Sequence, residues 1–400
     1  MLSDVSQSGK IDQSLPFEGR IKTLRQQRQQ QVLQRELRSI TTRKGVYLHC
    51  AGRWLFDFSS NDYLGLSQHP EILAAMQTAV SRYGLGAGAS QAISGHYQAH
   101  ANLAQAVADW LGYDKGLVFG SGYLANLAVQ QAFLTHSEDT CIQDRLNHAS
   151  LIDASRLAGC RLRRYQHADV DSARKMLSQH PANERLLVTD GVFSMDGDIA
   201  PIRQLCQLAQ QYKALVYVDD AHGFGVVGDD GRGSVSAQRL DCRHVPMQLV
   251  TLSKAFGSYG AIVVGTTAYI DHLAQMARSH LYSTALPPIL AVAALVSLRC
   301  VRQDHWRRQN LHENISMFRE LAQQRGIALI NSTTAIQGVI CQENQTALAW
   351  SNALEQKGFF VRAIRPPTVP KGTARLRITL TAAHTSQHIR YLIDALSRLV

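Results

Sequence analysis

The chain has 400 residues, 45% hydrophobic and 18% charged, which excludes a disordered or fibrous protein and allows a large core in two lobes. Its net charge is +10, and the stretch from Arg20 to Lys44 supplies +7 of that, with eight Lys/Arg (20, 22, 25, 28, 35, 38, 43, 44) against Glu36. Seven scattered cysteines without a C-x-x-C pair argue against a zinc site or a disulfide framework and for a reducing, cytoplasmic compartment.

Residues 1–19 hold no apolar stretch of the secretory-signal kind. Residues 17–40 have helical composition and most of the basic charge. They fit a solvated, glutamine-rich surface helix, or a surface for an acidic partner such as a coenzyme A or carrier-protein thioester. No aromatics are interleaved between Arg20 and Lys44 for base stacking, so no nucleic-acid partner is expected. Gly45–Phe58 reads as a hairpin turning at Ala51-Gly52. A helix is expected from Glu71 to Arg82, then a small-residue run (83–96) permitting close backbone approach, then a helix over Ala101–Leu111.

From Gly116 onward strands alternate with helices. Gly116–Phe119 leads into Gly120-Ser-Gly-Tyr-Leu-Ala-Asn126. This strand–glycine–helix arrangement suits a phosphate at the helix start, or an ordinary tight turn. Thr140–Gln143 precedes His148 and a helix, and Leu186–Thr189 precedes a helix over Pro201–Tyr212. Leu215–Val218 ends in Asp219-Asp220-Ala221-His222, Gln248–Leu252 ends in Ser253-Lys254, and Ala261–Gly265 follows. Such alternation gives an α/β fold with a mostly parallel sheet flanked by helices. The apolar run Ile289–Leu298 is too short to cross a bilayer and reads as a core helix, so no membrane partner is expected. Beyond it the pattern becomes α+β: Ile327–Ile330, Ala335–Cys341, a helix over Ala347–Lys357, Phe359–Ile364, Ala374–Thr379 and a helix over Ser386–Leu399. The expected division is an N-terminal helical arm and hairpin (1–58), a large domain (59–285) and a smaller C-terminal domain (286–400).

Ligands of parallel sheets lie beyond the carboxyl ends of the strands. Asp219, His222 and Lys254 therefore fall at one edge. Singly, each also fits a cap, an ion pair or a solvated lysine. Together, an aspartate for a pyridine nitrogen and a lysine for an imine point to pyridoxal phosphate.

Nine stretches in order carry a resemblance: FSSNDYLGL (58–66), SGYLAN (121–126), DRLNHAS (144–150), TDGVFSMDGD (189–198), VDDAHGFGVVG (218–228), GRGS (231–234), TLSKAFG (251–257), YSTALPP (282–288) and RPPTVPKGTARLRITLTAAH (365–384). They resemble the α-oxoamine synthases, pyridoxal-phosphate acyltransferases of the aspartate-aminotransferase fold type. Asp190 stands where that family carries glutamate. The resemblance implies a Schiff base on Lys254, Asp219 on the pyridine nitrogen, and His222 and Ser194 at the phenolic-oxygen edge. It places His148 on the ring face, and Gly122, Tyr123 and Thr251 at the phosphate. It puts Ser283 and Thr284 at the phosphate of a partner subunit, hence a homodimer. Arg35, Thr368 and Arg377 are the substrate contacts, with His148. The segment Ile364–Pro370 points within the family to condensation of L-alanine with a pimeloyl thioester, on coenzyme A or an acyl carrier protein, with release of CO2. The alternative is a sister enzyme that condenses glycine with acetyl-CoA or succinyl-CoA.

Overall fold

The computed structural model of the chain describes residues 16–179 and 183–400. The reading of the chain's first fifteen residues lies outside them.

Helix α1 (Glu18–Gln30) buries none of its residues. It ends at Gln30 instead of running to residue 40. With no apolar stripe to pack, nothing tertiary extends it, and Val32 takes a left-handed φ of 56°. The carbonyls of 32–34 are instead claimed by guanidinium groups: Leu33 by Arg28, and Val32 and Gln34 by Arg365. Arg35 thus lies on an irregular strap, not on a helix.

Strands β1 (Ile40–Lys44), β2 (Tyr47–Cys50) and β3 (Arg53–Asp57) form an antiparallel meander. Its turn at Ala51-Gly52 has φ of 49° and 76°, the two positive values a tight hairpin needs. Helices α2 (Pro70–Tyr83) and α3 (Gln98–Leu111) follow.

The central part runs β4 (Lys115–Phe119), α4 (Gly122–Phe133), β5 (Thr140–Asp144), α5 (Ala149–Ala158), β6 (Arg161–Tyr165), α6 (Val170–Ser178), β7 (Arg185–Asp190), α7 (Ile202–Gln211), β8 (Leu215–Asp219), α8 (Ser234–Ala237), β9 (Met247–Thr251), β10 (Ala261–Gly265), α9 (Thr267–Met276) and α10 (Arg278–Leu281). Its seven-stranded sheet has the order β4-β10-β9-β8-β7-β5-β6. β10 pairs antiparallel with both neighbours, and the other pairings are parallel. Strand β6 was not expected: Arg161-Leu-Arg-Arg-Tyr165 is an edge strand, and edge strands carry charge that hides the apolar pattern.

Strands β5, β9 and β10 are buried along their whole length because helices cover both faces. Tyr217, Leu249 and Val263 pack toward Ala125, Val129 and Leu273 on one face. Val216 and Val218 pack toward Leu205 and Leu208 on the other. This alternation along β8 fixes which residues reach the carboxyl edge.

The remaining elements are α11 (Pro288–Gln303), α12 (His305–Gln324), β11 (Ile336–Gln342), α13 (Asn344–Gln356), β12 (Phe359–Phe360), β13 (Arg362–Ile364), β14 (Ala374–Thr379) and α14 (Ser386–Leu396). The expected strand over Ile327–Ile330 is only a bridge from Leu329 to Val339. The single strand expected over Phe359–Ile364 divides at Val361. Phe359 and Phe360 join β3 in the four-stranded sheet, while Arg362–Ile364 join β14 in a sheet of order β11-β14-β13. Among the described residues, no helix is long and apolar enough to cross a membrane.

Candidate active site

The parallel strands β5, β7, β8 and β9 end at one edge of the sheet, and they and the loops leaving them carry His148, Asp190, Asp219, His222 and Lys254. The adjacent aspartates separate sharply. Asp220 is fully buried and accepts from Ser234 N and Ser234 Oγ at 2.7 Å and from Gln248 Nε2 at 3.0 Å. A Cβ at Gly223 or Gly233 would stand 2.1 or 2.0 Å from its carboxylate, so these glycines are required by close approach. Asp220 thus anchors the 221–234 loop. Asp219 faces the other way: its Oδ1 accepts from Ala221 N at 3.1 Å and its Oδ2 from Asn126 Nδ2 at 2.7 Å.

Lys254 Nζ donates to Thr251 Oγ1 at 3.3 Å, and Thr251 Oγ1 donates to the Ala221 carbonyl at 3.2 Å. Burial lowers the Lys254 pKa, and Arg377 adds to that, against the pull of Asp219 and Asp190. A Cβ at Gly122 would lie 3.0 Å from Thr251 Cγ2, so the start of α4 closes directly on Thr251. Ser121 caps α4 by accepting from Leu124 N at 3.3 Å. Among the described residues the N–H groups of Gly122 and Tyr123 find no acceptor, which leaves an anion seat at the helix start. The Tyr123 hydroxyl turns outward and donates to Asp153 Oδ2 at 2.7 Å.

His148 is the N-cap of α5: its Nδ1 accepts from Ser150 N at 3.3 Å and lies 2.7 Å from Ser150 Oγ. As a cap the residue is nonetheless exposed. Its pKa is lowered by the surrounding protein and by Lys254, although Asp219 raises it. Its backbone N–H donates to Asp190 Oδ2 at 2.7 Å. Asp190 pairs with Asp219 across β7 and β8, and burial together with Asp219 pushes its carboxyl well above the ordinary range.

His222 Nδ1 lies 2.7 Å from the Tyr63 hydroxyl. Burial, then Lys254, Arg377 and His148, hold the His222 pKa well below its usual value. Tyr63 is fully buried, which pushes its hydroxyl up to about 12 despite Arg377. Arg377 Nε donates to the Ser194 carbonyl at 2.7 Å and its Nη2 to Asn61 Oδ1 at 3.2 Å. Ser194 thus joins the cluster through its backbone, and Arg377 already has two protein acceptors.

The remaining expected residues lie apart. Arg35 Nη2 donates to Thr368 Oγ1 at 2.7 Å, with both residues exposed. Ser283 and Thr284 stand on the turn after α10, and no hydrogen bond joins them to the cluster among the described residues. Reading the residues alone missed Asn61, Tyr63, Asn126 and Ser150. Three of these sit inside the motifs FSSNDYLGL and SGYLAN, and Ser150 ends DRLNHAS, so the signal was present as motif but not as role.

Residues 54–396 match the family of class I and II aminotransferases. The chain is 55% identical over 379 residues to the 8-amino-7-oxononanoate synthase of Xylella fastidiosa (strain M12), covering 95% of this chain and 94% of that one. The chain belongs to the 8-amino-7-oxononanoate synthase family. A second member, from Xanthomonas campestris pv. campestris (strain B100), is 55% identical over 377 residues, covering 94% of each chain. Among solved structures, serine palmitoyltransferase from S. paucimobilis superposes with a TM-score of 0.90 at 27% identity, over 96% of this chain and 97% of that one. The 8-amino-7-oxononanoate synthase of Francisella tularensis gives 0.76 at 28% identity, over 86% and 97%.

The family's enzymes are acyltransferases that depend on pyridoxal phosphate. The residues fit that group by their chemistry: an amine with a lowered pKa, a buried carboxylate ending a strand, and free N–H groups at a helix start beside Thr251.

Proposed function

We propose that the protein condenses L-alanine with a pimeloyl thioester, giving 8-amino-7-oxononanoate, CO2 and free thiol, in biotin biosynthesis. The observation that carries the chemistry is the convergence of Lys254, Asp219 and His148 at one sheet edge. The choice of substrates follows the names of relatives 55% identical over nearly the whole chain.

When bound, pyridoxal phosphate supplies an electron sink for the pair left at Cα when the amino acid loses a proton or CO2. Lys254 would hold the cofactor and move the proton at Cα, a task its lowered pKa favours. Asp219 would hold a proton at the ring nitrogen. His222, with Ser194, would bind the phenolic-oxygen edge, and His148 would cover the ring face. Gly122, Tyr123 and Thr251 would bind the phosphate through hydroxyl and backbone N–H groups. Residues 59–285 would thus supply cofactor binding. The arm and residues 286–400 would supply donor contacts through Arg35, Thr368 and Arg377, and Arg377 would orient a carboxylate.

A homodimer completes this reading. The loop at 84–95 and the turn at 282–285 are joined by Ala285 N to the Ala89 carbonyl at 3.0 Å. They leave Leu85, Ile93 and Tyr282 at 74%, 80% and 74% exposure beside Ser283 and Thr284. Large apolar side chains gathered on adjoining segments mark an interaction surface.

The test pairs L-alanine or glycine with pimeloyl, acetyl and succinyl thioesters and follows thiol and CO2 release. Alanine with the pimeloyl thioester should turn over fastest. Turnover of glycine with acetyl-CoA, with none from alanine and pimeloyl-CoA, would replace the reading with a sister synthase.

A further inference from the structure

We infer that Asn126 and Ser150 are positioning residues that fix His148 as its neutral, Nε2-protonated tautomer. The inference rests on the reading above that Asp219 and His148 contact the cofactor.

The chain of bonds starts at Asp219, whose carboxylate oxygens accept. Asn126 Nδ2 reaches Asp219 Oδ2 at 2.7 Å, so the nitrogen end of the amide must face the aspartate. In that orientation the amide oxygen faces the Tyr217 hydroxyl, which donates to Asn126 Oδ1 at 2.8 Å. The second N–H of the amide goes to Ser150 Oγ at 2.8 Å. Having accepted there, the Ser150 hydroxyl has its single hydrogen to give, and His148 Nδ1 is 2.7 Å away. The Ser150 backbone N–H aims at the same nitrogen from 3.3 Å. With two donors directed at it, Nδ1 can only accept, so the ring hydrogen belongs on Nε2.

Burial makes this chain of bonds binding. Asn126 and Tyr217 are 0% exposed and Ser150 1%, so water offers no substitute partner. Each of their side-chain polar atoms is paired within the network. Asp190 adds the last constraint, holding the His148 backbone N–H at 2.7 Å, so that ring and main chain are both tethered. The carboxylate that would hold a proton at the cofactor's ring nitrogen and the imidazole that would cover the ring are thereby parts of one network.

The experiment uses the full-length protein with ring-15N-labelled histidine, with and without pyridoxal phosphate. The His148 signals are assigned by their loss in His148→Gln. At neutral pH both forms should show a neutral ring with its hydrogen on Nε2. Ser150→Ala should give a mixture of ring forms, and Ser150→Thr, which keeps the hydroxyl, should restore the original signals. Asn126→Leu should weaken cofactor binding about tenfold, as loss of a hydrogen bond to a charged group does. It should also move the pH titration of the cofactor's visible absorption. A merely structural role would lower the melting temperature and leave tautomer and titration unchanged. A ring protonated on Nδ1 in the unaltered protein, or unchanged His148 signals in Ser150→Ala, overturns the inference. If the unaltered protein takes up no pyridoxal phosphate, the cofactor reading fails, while the signals of the cofactor-free protein still decide the tautomer.

Discussion

The two regions assigned to the reaction are held in opposite ways. At the sheet edge, Asp219 is 4% exposed and receives Asn126 and Ala221, and the surrounding side chains are bonded to one another. At the surface, Arg35 and Thr368 lie 333 residues apart, are both exposed, and share one hydrogen bond of 2.7 Å. The difference teaches how the tasks divide. Carbanion chemistry needs groups fixed in a site that excludes water, whereas an acyl donor must enter and leave. The edge is set by strand register, which cannot slip without turning every side chain to the wrong face. The surface pair depends on a strap with no helix and on a loop, which can yield.

The sharpest break of this comparison is Lys254→Ala. Turnover should fall by at least about 10³-fold, and the visible absorption of the bound cofactor should disappear. Activity within tenfold of the unaltered enzyme would remove the lysine from the chemistry. Asp219→Asn keeps the shape and removes the charge. A drop in kcat of about 10²-fold is expected, with the KM for the acyl donor little changed, which steady-state kinetics would separate.

The surface region should respond in the other parameter. Arg35→Ala should raise the donor KM about tenfold and leave kcat within about twofold, the pattern for an interaction made equally in ground and transition states. A fall in kcat with KM constant would instead join Arg35 to the edge.

The smallest effect probes how the edge is supported. His167 Nδ1 lies 3.0 Å from Asp144 Oδ1, and its Nε2 lies 2.8 Å from Asp198 Oδ2. Burial alone would lower its pKa, but hydrogen bonds to Asp144 and Asp198 outweigh it and push it up to about 10 from the ordinary 6.5. Between those values the folded protein holds a proton that the unfolded chain releases. The stabilisation is therefore complete below pH 6.5 and is lost as pH rises through about 10. His167→Gln should lower stability by about 1–2 kcal/mol at neutral pH, with the gap closing toward the alkaline end. Denaturant unfolding at several pH values measures this, and a gap independent of pH would show that the imidazolium is not what matters.

Much of the edge was legible because its strands are continuous apolar runs with abrupt polar ends. Leu215–Asp219 and Met247–Thr251 announce themselves by that contrast, and the contrast alone places Asp219, His222 and Lys254 together. Arg161–Tyr165 did not announce itself, because an edge strand needs no apolar run. The helix expected to carry Arg35 stopped at Gln30, because composition permits a helix but only packing extends it.

By itself the sequence determined the buried strands of the central sheet and the helices between them, the lysine and aspartate at the edge, and the family. Those features are local: periodicity, strand ends and motif order need no distant partner. Only the tertiary structure gave the reason why Asp219 and not its neighbour is available there: Gly223, Gly233, Ser234 and Gln248 close around Asp220, while Asp219 faces the other way. It alone joined Asn126, Ser150 and His148 to Asp219. Hydrogen-bond partners on different elements are set by how strands and helices pack, and no spacing along the chain encodes them.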